Sequence, residues 1–344
     1  MTRHVRNPRR SFGSRKFPET LFSYNIAEMD SLDFSEKDFV HLHLHSDYSL
    51  LQSAIQLKPL AKRLGEMQMK ACAITDYGNM YGAISFYNAM KGAGVRPIIG
   101  YEAFVASGSR FDKSGSATGG DRPHYNLVLL AKNFEGYQNL VFLASKAFTE
   151  GSHHKPRIDK EILADHSSGL IALSGGFDGA VLNNLRHDDE ESALRHAAVL
   201  NEIFGNGNFY LEIADHGVED EKRVRKSLVD LSKKLSIPLV ATNDAHYLNE
   251  EDSRAHEVLL CIGEGRILSE TRHTFETSNY YVKSAGEMWD VFGSELPEAL
   301  TNTLEIARMC DLDLSMGDNL TLPPFPIPAE FGSDSIDDYF EKVA

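Results

Sequence analysis

The sequence contains few cysteines and no long apolar run, and both absences narrow the class of protein. It has 344 residues but only 3 cysteines, which lie far apart and without CxxC spacing. A small, odd set of separated cysteines argues against a disulfide framework or a thiolate zinc site and for a reducing compartment, so we expect a cytoplasmic protein. No segment approaches the roughly 18 consecutive apolar residues needed to cross a bilayer, so we expect no membrane protein.

Basic residues are also scarce. The chain has 35 Lys and Arg against 50 Asp and Glu, which gives a formal net charge of −15. Such an acidic chain is a poor stand-alone ligand for nucleic acid, because phosphate contacts need clustered Lys and Arg. The charge does not exclude a domain that lies beside DNA within a larger protein. With 42% hydrophobic and 25% charged residues, the composition is that of a globular protein with a large core.

The pattern along the chain predicts three regions. Residues 1–38 begin with a basic stretch without apolar periodicity, which we interpret as a disordered extension rather than a targeting peptide or nucleic-acid tail. Residues 39–315 alternate β-like and helical runs. Residues 316–344 contain the proline-rich LPPFPIP, which predicts a linker and the start of a further region. The predicted strands are 39–45, 71–75, 97–105, 125–131, 169–174, 208–213 and 238–243. Strands separated by helices predict an α/β fold of parallel βα units, either an open doubly wound sheet or a closed barrel.

The first predicted strand carries a row of histidines. FVHLHLHS alternates apolar residues with His41, His43 and His45, which places the three imidazoles on one face of a regular strand. Three buried imidazoles without partners are costly, so the row indicates a metal or polar site. In a parallel α/β barrel, active sites form at the C-terminal ends of the strands, where His43 and His45 lie.

Other strand ends carry compatible side chains. Glu102 lies among apolar residues at the end of the third strand, and Asp244 and His246 follow the seventh. Such side chains are ligands for Zn²⁺, Mn²⁺ or Fe, with oxygen-rich sites favouring Mn²⁺. A hydrogen-bonded polar layer without metal explains the same spacing equally well. Glu212, at the end of the sixth strand, either joins this site or caps it. The candidate metal ligands are His43, His45, Glu102, Asp244 and His246.

Several motifs together resemble a known family. HLHLHSDYSLL, AITDYGNMYGAISFY, VRPIIGYEAFVA, VATNDAHYL, DSRAHEVLLCI and NTLEIARMCDLDL are similar to the N-terminal PHP (polymerase and histidinol phosphatase) domain of bacterial DNA polymerase III α subunits. The resemblance begins near Phe39 and runs to the end of the chain. It implies a distorted seven-stranded (β/α)7 barrel. In intact members of the family nine side chains hold up to three metal ions, and some of these domains act as a proofreading 3′–5′ exonuclease.

The resemblance also implies a partly degenerate site. All five candidate ligands match ligand positions of the family, but four other positions do not. His124, two residues before Asn126, is a misregistered substitute for one of them. Losing four ligands should cripple a trinuclear site, so we expect a weakly metallated or metal-free centre, with room for one Zn²⁺ or Mn²⁺, and a structural or docking role instead of proofreading. Gln52, Tyr77, Asn126 and Gly176 stand where the family has Asp, His, His and Cys.

The resemblance implies a function within a larger DNA-directed DNA polymerase. The carboxylates that hold Mg²⁺ for nucleotidyl transfer lie, in this family, beyond the region that this chain matches. The implied partners are DNA through the parent polymerase, a proofreading exonuclease subunit and a sliding clamp. The alternative is a stand-alone metal-dependent phosphoesterase of the histidinol-phosphatase type.

Overall fold

The computed structural model describes residues 32–113, 122–205, 207–269, 275–314, 325–328, 330 and 335–343. No helix in these ranges is long and apolar enough to span a membrane. The strands are β1 (Ala71–Ile74), β2 (Arg96–Ala106), β3 (His124–Ala131), β4 (Ser152–His153), β5 (Lys155–Ile158), β6 (Leu170–Leu173), β7 (Phe209–Ile213) and β8 (Leu239–Ala241). The helices are α1 (Leu57–Glu66), α2 (Ala83–Gly92), α3 (Phe134–Thr149), α4 (Lys160–Asp165), α5 (Ala180–Arg186), α6 (Glu190–Phe204), α7 (Glu219–Leu235), α8 (Ser253–Glu264), α9 (Ala285–Phe292), α10 (Pro297–Met309) and α11 (Ile336–Val343).

The sheet curls until its two ends meet at residues 39–45. Strands β1, β2, β3, β6, β7 and β8 pair in chain order. His41 then bridges to Cys72 of β1, and Leu44 bridges to Ala245 just beyond β8. The backbone nitrogen of His45 also donates to the carbonyl of Ala245 at 2.9 Å. The predicted distorted seven-stranded barrel is therefore confirmed, with residues 39–45 as its first member.

One strand runs against the expected direction. Strand β3 is antiparallel to both neighbours, β2 and β6, so the prediction of uniformly parallel βα units is wrong there. An antiparallel pair needs no crossover helix, and the described part of the connection between β2 and β3 contains none. Strands β4 and β5 form a short hairpin, and β5 pairs in parallel with β2 at Phe104 and Val105.

The barrel interior has an apolar end and a polar end. Alternate residues of all seven members, among them Leu42, Leu130 and Val240, form one buried cluster with Leu304 and Ile306 of α10. Burying each such side chain contributes about 1.5–3 kcal/mol, and α10 covers this end of the barrel. Further along the same strands the interior positions become polar. Those buried polar residues are His43, His45, Glu102, Asn126, Glu212 and Thr242.

Two predicted regions lie partly outside the described residues. Of the N-terminal extension 1–38, only residues 32–38 are described, and Leu32 and Phe34 pack against the apolar end of the barrel. Of the predicted linker region 316–344, residues 316–324, 329, 331–334 and 344 are outside the described ranges. The three-region division stays a prediction.

Candidate metal centre

Four side-chain atoms converge at the polar end of the barrel. The Nε2 atoms of His43 and His45 lie 3.2 Å apart. Glu102 Oε2 lies 3.2 Å and 3.1 Å from these two nitrogens, and Asp244 Oδ1 lies 3.4 Å and 3.1 Å from them. We call these four atoms the ligand cluster. The first strand, β2 and the loop after β8 each supply part of it, so it exists only in the closed barrel.

The far side of each imidazole is held by another residue. His43 Nδ1 lies 2.6 Å from Glu212 Oε1, a carboxylate that only accepts, so this nitrogen carries the proton. His45 Nδ1 lies 3.2 Å from Ser49 Oγ, whose own proton goes to Asp76. With Nδ1 protonated, each ring presents an Nε2 lone pair to the cluster. This carboxylate–histidine arrangement is the usual support of metal-binding imidazoles.

The charges of the cluster are strongly coupled. Burial alone would lower the pKa of His43, but Glu212, Asp244 and Glu102 outweigh it and raise that pKa well above its usual value. Burial also works against His45, whose pKa is nevertheless raised by Asp244 and Glu102. Burial raises the pKa of Glu102, yet the two histidines bring it down to about 2. The cluster therefore holds positive charge between its carboxylates, as protons or as a cation.

The geometry of the cluster fits a four-coordinate metal ion. The separations that involve the two imidazole nitrogens are 3.1–3.4 Å. Tetrahedral Zn²⁺ with bonds of about 2.0–2.1 Å separates its ligand atoms by a similar distance, about 3.3–3.4 Å. With the Nε2 atoms of His43 and His45 unprotonated, the buried Asp244 Oδ1 has no hydrogen-bond donor among the described residues. Such an orphan carboxylate oxygen is costly unless a cation meets it.

His246 lies beside the ligand cluster. Among the described residues, the potential metal ligands form two groups that share His45: one adds His43 and Glu102, and the other adds Asp244 and His246. Its Nδ1 faces the backbone carbonyl of Asp244 at 2.7 Å, and its Nε2 faces the Tyr77 hydroxyl at 3.3 Å. Burial lowers the pKa of His246 to about 3, so the ring is neutral and accepts the Tyr77 proton. Tyr77 also stacks on the His45 ring at 3.9 Å. The structure thus brings all five candidate ligands together, four in one cluster and His246 at its edge.

The remaining departures from the family pattern are neutral hydrogen-bonding groups. Asn126 Nδ2 donates to Glu102 Oε1 at 2.9 Å. The backbone nitrogen of Gly176 donates to Glu212 Oε2 at 3.1 Å, with φ of +54° at Gly176. Gln52 contributes its carbonyl to a hydrogen bond with His256. His124 lies at the cleft wall, edge-on to Phe104 at 5.2 Å, and does not belong to either group of potential metal ligands.

The prediction that three histidines share one face is wrong for His41. The backbone bends at His43, so Val40 and Leu42 point into the barrel and His41 points outward. His41 Nε2 lies 2.8 Å from the carbonyl of Lys283, and burial lowers its pKa to about 4. Strict alternation requires a regular extended strand, and this segment is tied to its neighbours only by single bridges.

A cleft of about 460 Å³ opens onto the site. Asp244 and His246 line this cleft, together with the stacked rings of Tyr77 and Phe104, whose centroids are 6.2 Å apart. Basic side chains also line the cleft, and one of them, Lys155, lies over the Phe104 ring at 5.1 Å. The other basic lining residues are Arg122, Arg186 and Arg225.

Sequence reasoning missed some supporting residues and left one undecided. Glu212 proves to orient His43, and its carboxylate also accepts from Thr242 at 2.6 Å. Ser49 and Asp76 were not singled out, although both lie within the motifs that carry the family resemblance. No spacing signal identifies the pair, because Ser49 and Asp76 are 27 positions apart in the sequence.

Comparison with known proteins agrees with this architecture. The family model described as PHP domain matches residues 41–216. The DNA polymerase III subunit alpha of Treponema pallidum (strain Nichols) is 43% identical over 296 residues, which cover 86% of this chain and 25% of that protein. The Thermus aquaticus DNA polymerase III subunit alpha is 45% identical over 308 residues, covering 86% of this chain and 24% of that protein. The chain thus spans about a quarter of the length of these relatives.

Solved structures add less. An amidohydrolase from Chromobacterium violaceum, described with bound sulfate and no metal, shares 13% sequence identity and a TM-score of 0.39 over 60% of this chain and 87% of that one. A score this low carries no argument about activity. The two relatives that share 43–45% identity with the chain are DNA polymerase III α subunits. The family model matches half of the chain, so the chain belongs to the PHP domain family.

Proposed function

We propose that this chain serves as the PHP domain of a bacterial DNA polymerase α subunit and supports template-directed DNA synthesis by the whole polymerase in the cytoplasm. Identity of 43–45% to such subunits over 86% of the chain supports this role. Nucleotidyl transfer would use Mg²⁺ held by carboxylates outside the matched region. The partners we propose are DNA through the parent polymerase, a proofreading exonuclease subunit and a sliding clamp.

We further propose that the domain holds one divalent ion in the ligand cluster. The observation that carries this proposal is the set of ligand-atom separations, 3.1–3.4 Å, together with the orphan oxygen of Asp244. Two imidazole nitrogens with two carboxylate oxygens are a ligand set that favours Zn²⁺, with Mn²⁺ as the alternative. Such an ion supplies Lewis-acid chemistry when bound.

A second or third ion has little support. The positions where the family places further ligands hold Tyr77, Asn126 and Gly176, and each donates a hydrogen bond from a neutral group to a neighbouring site residue. Since none supplies a negative charge or an imidazole, we infer that multinuclear proofreading chemistry is lost. The domain then acts mainly as a structural and docking element of the polymerase.

One observation favours a second candidate function, a phosphoesterase. The cleft reaches Asp244 and His246 and is lined by Arg122 and Lys155, cations of the kind that bind phosphoryl oxygens. A mononuclear centre beside such a wall suits hydrolysis of a small phosphate ester.

The decisive experiment is the metal content of the purified, desalted chain by mass spectrometry. We expect about one Zn²⁺ or Mn²⁺ per chain, and its loss in a His43→Ala, Asp244→Ala double variant. His154→Ala, which removes an imidazole outside both groups of potential metal ligands, is the matched control and should keep the metal. Two or three ions per chain would contradict the mononuclear proposal. No metal in the wild type would leave a metal-free scaffold.

Hydrolysis assays separate the two functions. Wild-type protein and the Arg122→Ala variant are compared on p-nitrophenyl phosphate and on a single-stranded DNA 3′ end. Turnover of the phosphate ester that needs both metal and Arg122 would favour the phosphoesterase. A metallated chain without either activity would favour the structural role, which co-purification of the full-length subunit with an exonuclease subunit then tests.

A further inference from the structure

The loop that presents Asp244 is in an unfavourable backbone conformation. Asp244 has φ of +39°, in the left-handed region that residues with a Cβ adopt at a cost. In this conformation its Oδ1 comes within 3.1 Å of His45 Nε2. The site therefore depends on whatever holds the turn at residues 243–244.

Asn243, directly before Asp244, is fixed at three atoms. Lys283 Nζ donates to Asn243 Oδ1 at 2.6 Å. The Asn243 side-chain nitrogen donates to the Tyr281 carbonyl at 2.6 Å. His216 Nε2 donates to the Asn243 backbone carbonyl at 2.8 Å. With its backbone carbonyl and both ends of its amide held, Asn243 is 2% exposed and cannot rotate without breaking buried hydrogen bonds.

The two donors are themselves anchored. His216 Nδ1 lies 2.6 Å from Glu221 Oε1, and its ring stacks on Tyr280 at 3.8 Å. Both ring nitrogens thus face acceptors. Lys283 also donates to the carbonyl of Asn279. Hydrogen bonds therefore connect Glu221 to His216, His216 to Asn243 and Asn243 to Lys283.

Lys283 is an expensive residue to bury. It is 5% exposed, and burial lowers its pKa to about 8. Its ammonium group donates hydrogen bonds to the Asn243 amide oxygen and to the Asn279 carbonyl, which are both uncharged acceptors. His41, which points away from the ligand cluster, meets the Lys283 carbonyl at 2.8 Å and so holds its backbone. Burying the Lys283 ammonium group costs free energy, and both its side chain and its backbone are held by hydrogen bonds. Because this group contacts Asn243, the residue before Asp244, we interpret Lys283 as a residue that positions Asp244.

We propose that Lys283 and His216 are positioning residues of the metal centre. They fix Asn243 and, through it, the left-handed turn that carries Asp244 to the ligand cluster. The inference rests on the proposed metal centre and deepens it. Neither residue lies among the potential ligands themselves.

The test measures binding of Co²⁺ and Zn²⁺ to the whole chain in a competition assay. Lys283→Met keeps the length of the side chain but removes its donors. We expect its affinity for both ions to fall about tenfold to a hundredfold, as for other outer-shell partners of metal ligands. The visible absorption of bound Co²⁺ should also change towards that of Asp244→Ala. In the Asp244→Ala background, Lys283→Met should have no further effect, because it acts through that ligand.

Arg157→Met is the matched control. Arg157 is a buried cation, 4% exposed, that donates to the carbonyls of Gly151 and Asp112 away from Asp244. Its variant should keep the wild-type affinity and the wild-type Co²⁺ spectrum. If Lys283→Met does not fold, His216→Phe removes the ring donors while keeping the stack on Tyr280, and the same result is expected.

The outcomes separate the two proposals. A wild-type chain that binds neither ion overturns the metal centre and this inference together. A wild type that binds, with a folded Lys283→Met variant of unchanged affinity and spectrum, overturns this inference alone. So does an equal loss of affinity in Arg157→Met, or a loss that persists in the Asp244→Ala background.

Discussion

Two halves of the polar end of the barrel satisfy their buried groups in different ways. In the ligand cluster, two carboxylate oxygens lie 3.1–3.4 Å from the Nε2 atoms of His43 and His45 and need a shared positive charge. In the other half, Tyr77 and Asn126 hydrogen-bond their neighbours His246 and Glu102 without any added cation. A polar barrel mouth can therefore lose some metal positions and stay satisfied, provided that neutral donors replace the ligands. The ligand cluster, which contains the charged groups, is the half that needs a bound cation.

The strongest way to break this comparison is to remove a charge from the ligand cluster. Glu102→Gln keeps the shape of the side chain but removes a carboxylate that lies within 3.2 Å of both histidines. We expect metal affinity to fall by more than about a hundredfold, beyond the loss typical of an outer-shell partner. Competition titration measures the change, and Glu161→Gln, an exposed acid, should leave the affinity unchanged. Wild-type affinity in Glu102→Gln would show that the ion binds elsewhere.

The pH dependence of stability should reverse when metal binds. In the metal-free chain, His43 and His45 have pKa values raised above 6.5. Their contribution to the free energy of unfolding is therefore complete below pH 6.5 and is lost as the pH rises through their folded pKa values. In the metal-loaded chain the ion competes with these protons, so stabilisation by metal grows with pH. Denaturant unfolding between about pH 6 and pH 9, with and without chelator, measures the two slopes. Parallel slopes would contradict the ligand cluster as the binding site.

The comparison can also be tested by adding imidazoles to the half of the barrel end that contains Tyr77 and Asn126. In the Tyr77→His, Asn126→His double variant we expect a second ion beside the first, because two imidazole ligands return next to His246 and Glu102. Metal analysis of the purified protein checks the stoichiometry. Tyr81→His, at a site that is 60% exposed, controls for the added imidazole. A content that stays at one ion would show that ligand identity alone does not decide the number of ions.

We expect the smallest effect from removing the single hydrogen bond between the Tyr77 hydroxyl and His246. Tyr77→Phe removes the hydroxyl that lies 3.3 Å from His246 Nε2. The free energy of unfolding should fall by about 0.5–1.5 kcal/mol, with metal affinity nearly unchanged. Chemical denaturation measures the difference, with Tyr81→Phe as the exposed control. A large loss of metal in Tyr77→Phe would instead place the hydroxyl among the ligands.

The sequence pattern predicts much of the fold and nearly all of the cluster. Alternation and strand-end position placed His43, His45 and Glu102 correctly at the polar end, because the C-terminal ends of neighbouring parallel strands share one edge. The same alternation failed at His41, since one bend in the backbone reverses the face of every following side chain. Strand β3 was assigned correctly as a strand, but its direction depends on a connection whose path the local sequence does not specify.

By itself, the sequence determines which residues have the chemistry to bind metal. It shows the imidazoles and carboxylates directly, and it shows that Tyr77 and Asn126 stand at positions where the family has such groups. Only the tertiary structure decides which of their atoms meet. Glu212 lies 169 positions from His43, and Lys283 lies 40 positions from Asn243. Hydrogen bonds of this kind have no signature in sequence spacing, because barrel closure, and not local propensity, brings their partners within reach. That closure turns separate strand ends into one ligand cluster and fixes the turn that carries Asp244 into it.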